Sequence, residues 1–146
     1  MIMRIMGLDF GSKTVGVAVS DPLGMTATGV EIIRRDSPGK LRKTLARIEQ
    51  LIKEYDVEKL VLGYPIMLDG SEGERVEKTR EFAAKLERRT GMEIIFQDER
   101  LTTVEAYEIM DQLGVKKQDR YQFVDMVAAK VILEDYLSNA ASRKGL

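Results

Sequence analysis

Asp9, the pair Asp98 and Glu99, and Asp125 are the residues of this 146-residue chain whose type and setting best suit chemistry. Asp9 ends an apolar run that starts at Met3, with Gly7, Gly11 and Gly16 around it. Glycines there would let a ligand or a neighbouring strand approach the backbone. An aspartate in a tight turn is the alternative reading. Asp98 and Glu99 close a later apolar run, just before a helical stretch. Negative charge favours a helix N-terminus, but Thr102 and Glu105 already look like the cap there. Asp125 sits in the apolar stretch Phe123-Val124-Asp125-Met126-Val127-Ala128-Ala129. Tyr121, Gln122, Ala128 and Ala129, three and four residues away, are not basic, so no ion pair along the helix accounts for it. A carboxylate on an apolar helix is costly unless paired, hydrated or metal-bound; the exposed edge of the helix is the alternative. Carboxylates gathered from distant stretches repel and raise one another's pKa. Divalent cations relieve that repulsion, and two of them roughly 3.5–4 Å apart can activate water and stabilise the leaving oxygen of a phosphodiester.

The residues that are missing narrow the chemistry in the same direction. The chain has no His and no Cys. This excludes an imidazole base or metal ligand, a Ser-His-Asp triad, a thiol nucleophile, a disulfide framework and thiolate zinc or iron–sulfur sites. Carboxylates, Lys, Arg, Ser, Thr and Tyr remain, and a metal held by them is an oxygen-liganded hard cation such as Mg²⁺ or Mn²⁺.

These acids need elements to position them. Met3–Asp9 reads as a buried strand, Val15–Ser20 as a second joined to it by a hairpin, and Thr26–Ile33 as a third. Leu41, Leu45, Ile48, Ile52 and Tyr55 then fall at helical spacing, with Ser37-Pro38 as cap and first residue. A short strand spans Glu58–Gly63, and Pro65–Gly70 is a loop. Ser71 and Glu74 form a capping box for a second helix, with Val76, Ala83 and Leu86 inward and Gly91 as its stop. Met92–Gln97 is the fifth strand. Thr102 and Glu105 head a third helix ending near Gly114, and a last helix runs from about Asp119 to Asn139, with a frayed tail after Ser138. The order βββαβαβαα implies an α/β fold. Its sheet is mixed and five-stranded, an antiparallel meander joined to parallel strands, flanked by helices. Residues 1–146 form one domain, and a chain this long buries roughly 68–70% of its unfolded surface without staples. No apolar run is long enough to span a membrane, and Arg4 and Asp9 interrupt any signal-peptide core. The absence of Cys agrees with an intracellular setting.

Four stretches in order carry a resemblance to a known family. They are GLDFGSKTVGVAVSD (7–21), GYPIMLDGSEG (63–73), DERLTTVEA (98–106) and VDMVAAKVIL (124–133) with DYL (135–137). Together they resemble the YqgF or RuvX family, the Holliday junction resolvase-like proteins, over nearly the whole chain. The resemblance implies an RNase H-like fold and a cytoplasmic bacterial nuclease. The expected role is processing the 5′ end of pre-16S rRNA in ribosome biogenesis or, by analogy, cleaving four-way DNA junctions. It also implies that Asp9, Glu99 and Asp125 are the catalytic, metal-holding acids, with Asp98 a further candidate ligand, and that the metal is Mg²⁺ or Mn²⁺. Lys13, Arg100, Thr102 and Thr103 match motif positions that face substrate. An ion pair with a neighbouring acid is the alternative for Arg100. One departure stands out: Gln122-Phe123-Val124 precede the third acid where a basic residue is expected, and Lys116, Lys117 and Arg120 lie further upstream.

The formal net charge is −1, which hides a local excess. Between residues 34 and 53, Arg34, Arg35, Lys40, Arg42, Lys43, Arg47 and Lys53 stand against only Asp36 and Glu49. Such a run can track a phosphate backbone; a solvated helix face is the alternative. The leading expectation is a two-metal nuclease acting on an rRNA precursor or on branched DNA, as monomer or homodimer. A non-catalytic RNA- or ribosome-binding module is one competitor. An ATPase or sugar-kinase relative is another, although the chain carries no second phosphate loop.

Overall fold

The alternating and continuous apolar runs become five strands of one sheet. In the computed structural model, which describes residues 4–37, 40–65, 73–98, 108–114, 116 and 120–143 (side chains of the last stretch at 124 and 126–139), they are β1 (Arg4–Phe10), β2 (Thr14–Ser20), β3 (Ala27–Arg34), β4 (Val57–Tyr64) and β5 (Ile94–Asp98). Their spatial order is β3-β2-β1-β4-β5. β1 pairs antiparallel with β2, and β2 with β3; β4 pairs parallel with β1, and β5 with β4. The mixed sheet expected from element order is therefore the one observed. β1 and β2 are buried on both faces beyond their first residues, as central strands covered by helices on either side must be.

Strand parity separates two cores. Met6, Leu8 and Phe10 of β1, with Val15, Val17 and Val19 of β2, point toward α1 (Arg42–Glu54) and α2 (Glu74–Thr90), meeting Ile48, Leu51, Phe82 and Leu86. Ile5 of β1, Ala18 of β2 and Val61 of β4 pack on the other face against Ala129, Ile132, Leu133 and Tyr136 of α3 (Arg120–Arg143). On that face a row of small residues, Gly7–Ala18–Gly29, runs across β1, β2 and β3. It admits α3 at backbone distance. A methyl built on Gly7 would stand 2.8 Å from Leu133 Cβ and 3.0 Å from the Ala129 carbonyl oxygen, and one on Gly29 would stand 2.6 Å from Met126 Cγ. α3 thus lies obliquely over the row, Met126 above β3 and Leu133 above β1.

Helix starts differ from the sequence expectation. α1 begins at Arg42, with Leu41 as its N-terminal cap residue and no side-chain cap bond, rather than at Ser37-Pro38. Its first helical hydrogen bond runs from Leu45 N–H to the Leu41 carbonyl (2.9 Å). The helix starts where its buried stripe starts, and Ser37 instead closes a separate turn by accepting from Lys40 N–H (3.2 Å). α2 begins at Glu74 with Gly73 at the cap, and Ser71, the expected cap, lies outside the described residues. Glu74 and Glu77 in the first turn complement the helix dipole. Gly91, at φ 72°, ends α2 as expected. The third helix is described only at 108–112, with Gly114 at φ 75° after it, and its capping residues Thr102 and Glu105 lie outside the described residues. α3 continues to Arg143, beyond the expected end at Asn139. The β2–β3 turn is closed by Asp21, whose carboxylate accepts from Met25 N–H (2.7 Å) and Thr26 N–H (2.8 Å). These bonds, that from Thr26 foremost, hold the Asp21 carboxyl below its usual value. Among the described residues no helix is long and apolar enough to cross a membrane.

Candidate active site and its basic flank

Asp9 is the last residue but one of β1, 7% exposed, and paired in register with Gly16. It shares a strand face with Ile5 and Gly7, the face that α3 covers. A carboxylate is buried at the C-terminal end of a central strand, where open α/β sheets gather ligands. Asp125 is a residue of α3, one helical turn before Ala129, whose carbonyl rests on Gly7. The fold therefore sets Asp9 and the helix bearing Asp125 on one side of the sheet. Glu99, Arg100, Thr102 and Thr103 lie outside the described residues, as does the Asp125 side chain. Among the described residues no three acids converge on one point. Asp98 ends β5 and is exposed. Alternation places it with Ile94, whose side chain belongs to the α1–α2 core, while Ile95 packs toward α3. Asp98 and Asp9 thus belong to opposite faces of the sheet. An oxygen-rich acid set without imidazole or thiolate suits a hard divalent cation, and the buried Asp9 carboxylate is a donor of that kind.

The basic run divides into members with different work. Arg34, Lys40, Arg42 and Lys43 are exposed, as is Lys13 in the β1–β2 turn. Arg47 grips Glu31 of β3 with two bonds, Nε to Oε2 at 2.9 Å and Nη2 to Oε1 at 2.7 Å. That bidentate pair ties α1 to the sheet edge and leaves the Arg47 side chain 38% exposed. Arg35 is buried, being 7% exposed, and lines two cavities. Its Nη2 donates to the carbonyls of Gly11 and Ser12, both at 2.6 Å, and its guanidinium lies 4.8 Å from the Phe10 ring centroid. Phe10 in turn stacks on Phe82 with centroids 4.3 Å apart. Arg75 of α2 donates to the Phe10 carbonyl (3.3 Å), so three successive carbonyls of the turn are held by arginines. The Gly11 N–H is committed to the Thr14 carbonyl (2.8 Å). This turn therefore directs carbonyls at cations on the α1–α2 side. A phosphate-cradling loop would instead offer its free N–H groups. Burial lowers the Arg35 pKa from its ordinary value. Its Nε and Nη1 have no hydrogen-bond partner among the described residues, a costly state at about 1–3 kcal/mol per buried polar group and more for a charged one.

Two cavities, about 600 and 460 Å³, share Arg35, Leu41 and Lys85 as walls. Both lie on the α1–α2 face, not at Asp9. Reading the basic run along the sequence identifies one wall and misses the other, which is Lys78, Lys85 and Arg89 of α2. The signal was present: 78, 85 and 89 share one helical stripe.

A mixed five-stranded sheet in this order, with an acid at the end of its central strand and a helix laid across that face, defines the RNase H-like class to which junction resolvases belong. Solved structures share it. Thermus thermophilus RuvC, determined in complex with Holliday junction substrate, matches 98% of this chain and 96% of its own at a TM-score of 0.54 and 15% identity. Fowlpox virus resolvase, determined with Holliday junction DNA, matches over 96% and 99% at a TM-score of 0.52 and 13% identity. At such identities the likeness is one of fold. Sequence carries the assignment further: the family described as "RuvX: Holliday junction resolvase" matches residues 3–139. A protein of Agathobacter rectalis named "Putative pre-16S rRNA nuclease" is 61% identical over 96% of this chain and 100% of its own length, and one of the same name from Lachnospira eligens is 53% identical over 94% and 98%. The chain belongs to the RuvX family.

Proposed function

We propose that this protein is a divalent-metal-dependent nuclease that trims the 5′ end of pre-16S rRNA in the cytoplasm. The observation that carries the reading is the buried Asp9 carboxylate at the C-terminal end of β1, on the sheet face covered by the helix that bears Asp125. Asp9, Glu99 and Asp125 would hold Mg²⁺ or Mn²⁺; Asp98, on the opposite face by parity, is left out of that set. Such a cation, when bound, lowers the pKa of water and neutralises charge at phosphorus. The chain's own part is to fix the acids on rigid elements, to exclude bulk water through α3, and to hold the phosphate backbone. Lys13, Arg34, Lys40, Arg42 and Lys43, all exposed, supply that hold together with Arg100. The names of the relatives from Agathobacter rectalis and Lachnospira eligens support the rRNA substrate. The family description supports a second substrate, the four-way DNA junction, whose paired cuts would require a homodimer; rRNA processing is open to a monomer.

The test is incubation with rRNA precursor and with a four-way junction, each with Mg²⁺ and Mn²⁺, beside Asp9→Asn. The wild type is expected to cleave the precursor, and Asp9→Asn to remain folded and lose metal-dependent cleavage. Full activity in the variant would sink the assignment. Salt-sensitive RNA binding without cleavage by the wild type would favour a non-catalytic binding module instead.

A further inference from the structure

β3 runs antiparallel to β2, so its last residues return to the sheet end where β1 finishes. Arg35 therefore stands beside Gly11 and Ser12, at the same end of the sheet as Asp9, but on the opposite face. There the cavity of about 600 Å³ is walled by Lys40, Arg42 and Lys43 on one side and by Lys85 and Arg89 of α2 on the other, with Arg35 between them. Among the described residues Asp36 is the one acid in that lining, and Glu49 already engages Arg89. So many like charges around one hollow repel each other, and an anion lowers that repulsion. The guanidinium of Arg35 makes the second, independent point. It is more than nine-tenths buried, lines both adjoining cavities, and keeps Nε and Nη1 without partners among the described residues. Arginine's fixed fork suits phosphate oxygens. Arg35 is oriented from behind by the Phe10 ring and by two turn carbonyls, so it is pre-set before any ligand arrives.

We propose that the cleft between α1 and α2, at the end of β1, is a phosphate-binding site separate from the acid site on the other face of the sheet. Arg35 forms its floor, Lys43 and Lys85 its opposing walls. The ligand is a phosphate group, carried either by the end of a nucleic-acid strand or by a free nucleotide. The proposal deepens the nuclease reading, and rests on it for the choice of phosphate as the anion. In the strand case, a terminal phosphate held here sets the distance from the strand end to the bond presented at Asp9.

The test is calorimetric titration of the full chain in metal-free buffer with inorganic pyrophosphate, AMP, and a short RNA oligonucleotide with and without a 5′-phosphate. The variants are Lys85→Glu, Lys43→Glu and Asp9→Asn. Both lysines are exposed, so charge reversal leaves the core intact, and far-ultraviolet circular dichroism checks each fold. Saturable binding of at least one probe is expected. It should weaken at least about tenfold in both lysine variants, each such reversal adding two units of charge change near the anion, and be unchanged in Asp9→Asn. A 5′-phosphorylated oligonucleotide binding tenfold tighter than its unphosphorylated twin and than AMP identifies a strand end. AMP binding as tightly as the oligonucleotide identifies a free nucleotide. No saturable binding of any probe, or binding unaffected by both lysine reversals, overturns the proposal. Loss of cleavage in Asp9→Asn with phosphate binding intact keeps the two readings distinguishable, as does phosphate binding by a wild type that cleaves nothing.

Discussion

Replacing Gly7 with Ala should be one of the most damaging single-methyl changes in this protein. The added Cβ would meet Leu133 Cβ at 2.8 Å and the Ala129 carbonyl oxygen at 3.0 Å. Ordinary carbon–carbon contact lies at about 3.5–4.0 Å, so α3 must move by roughly 0.7–1.2 Å. Neither clashing atom is the end of a flexible side chain, and both belong to one rigid helix. Overpacking of this kind costs about 1–3 kcal/mol. A stiffer unfolded chain returns about 0.4–1 kcal/mol for Gly→Ala. The midpoints of these ranges leave a net loss of about 1 kcal/mol, read as a lower urea midpoint at unchanged slope. Function should suffer further, because α3 carries Asp125: a misplacement of about 1 Å can cost on the order of a hundredfold in rate. Leu133→Ala should not rescue the variant, since it keeps the offending Cβ. Gly29→Ala is the contrasting control. Its methyl would meet Met126 Cγ at 2.6 Å and Sδ at 3.2 Å, atoms of a flexible side chain. Gly29→Ala should therefore cost little once Met126 is also made Ala. A Gly7→Ala protein as stable as the wild type, or one restored by Leu133→Ala, would refute the reasoning.

Phe82 is fully buried and stacked on Phe10, so Phe82→Ala should destabilise by about 3–5 kcal/mol in the same urea assay. It should also loosen the β1–β2 turn, seen as faster amide exchange at Gly11. Asp135 has its carboxyl pushed above 3.8, by burial first and by the charge of Glu134 second. The folded state thus binds that proton more tightly than the unfolded chain. Stability from this group falls as pH rises from 3.8 through the raised value, and a constant deficit remains above it. Asp135→Asn should be the more stable protein at neutral pH, with an advantage that closes as pH drops toward 4; an advantage constant with pH would contradict this origin.

Much of the architecture was legible in the order of apolar runs. Period-two and continuous β-branched stretches, a breaker-rich turn at Asp21-Pro22, and helical spacing from Leu41 onward were enough for a mixed five-stranded sheet with helices on its faces. Helix starts were less legible. Ser37 and Ser71 have the chemistry of caps, yet α1 and α2 begin later, at Arg42 and Glu74. Burial of Leu45, Ile48, Val76 and Phe82 decides where helix becomes worth forming, and a local cap of about 1 kcal/mol does not outweigh it.

The sequence by itself narrowed the chemistry open to the chain. A chain without His and Cys, with acids at the ends of apolar runs, offers carboxylates as its strong ligands, because neither imidazole nor thiolate is present. It could not say which members of a charged run face outward. Arg34 and Arg35 are neighbours of one type, yet one is exposed and the other is buried against Phe10, because successive side chains leave an extended backbone in opposite directions. Likewise Asp98 is a fair metal ligand on its sequence position, until the register of β5 puts it on the far face from Asp9. Only tertiary structure joined the basic run of the β3–α1 segment to Lys85 and Arg89, more than forty residues away. Helix packing across a sheet, and not spacing along the chain, decides which charges share a cavity.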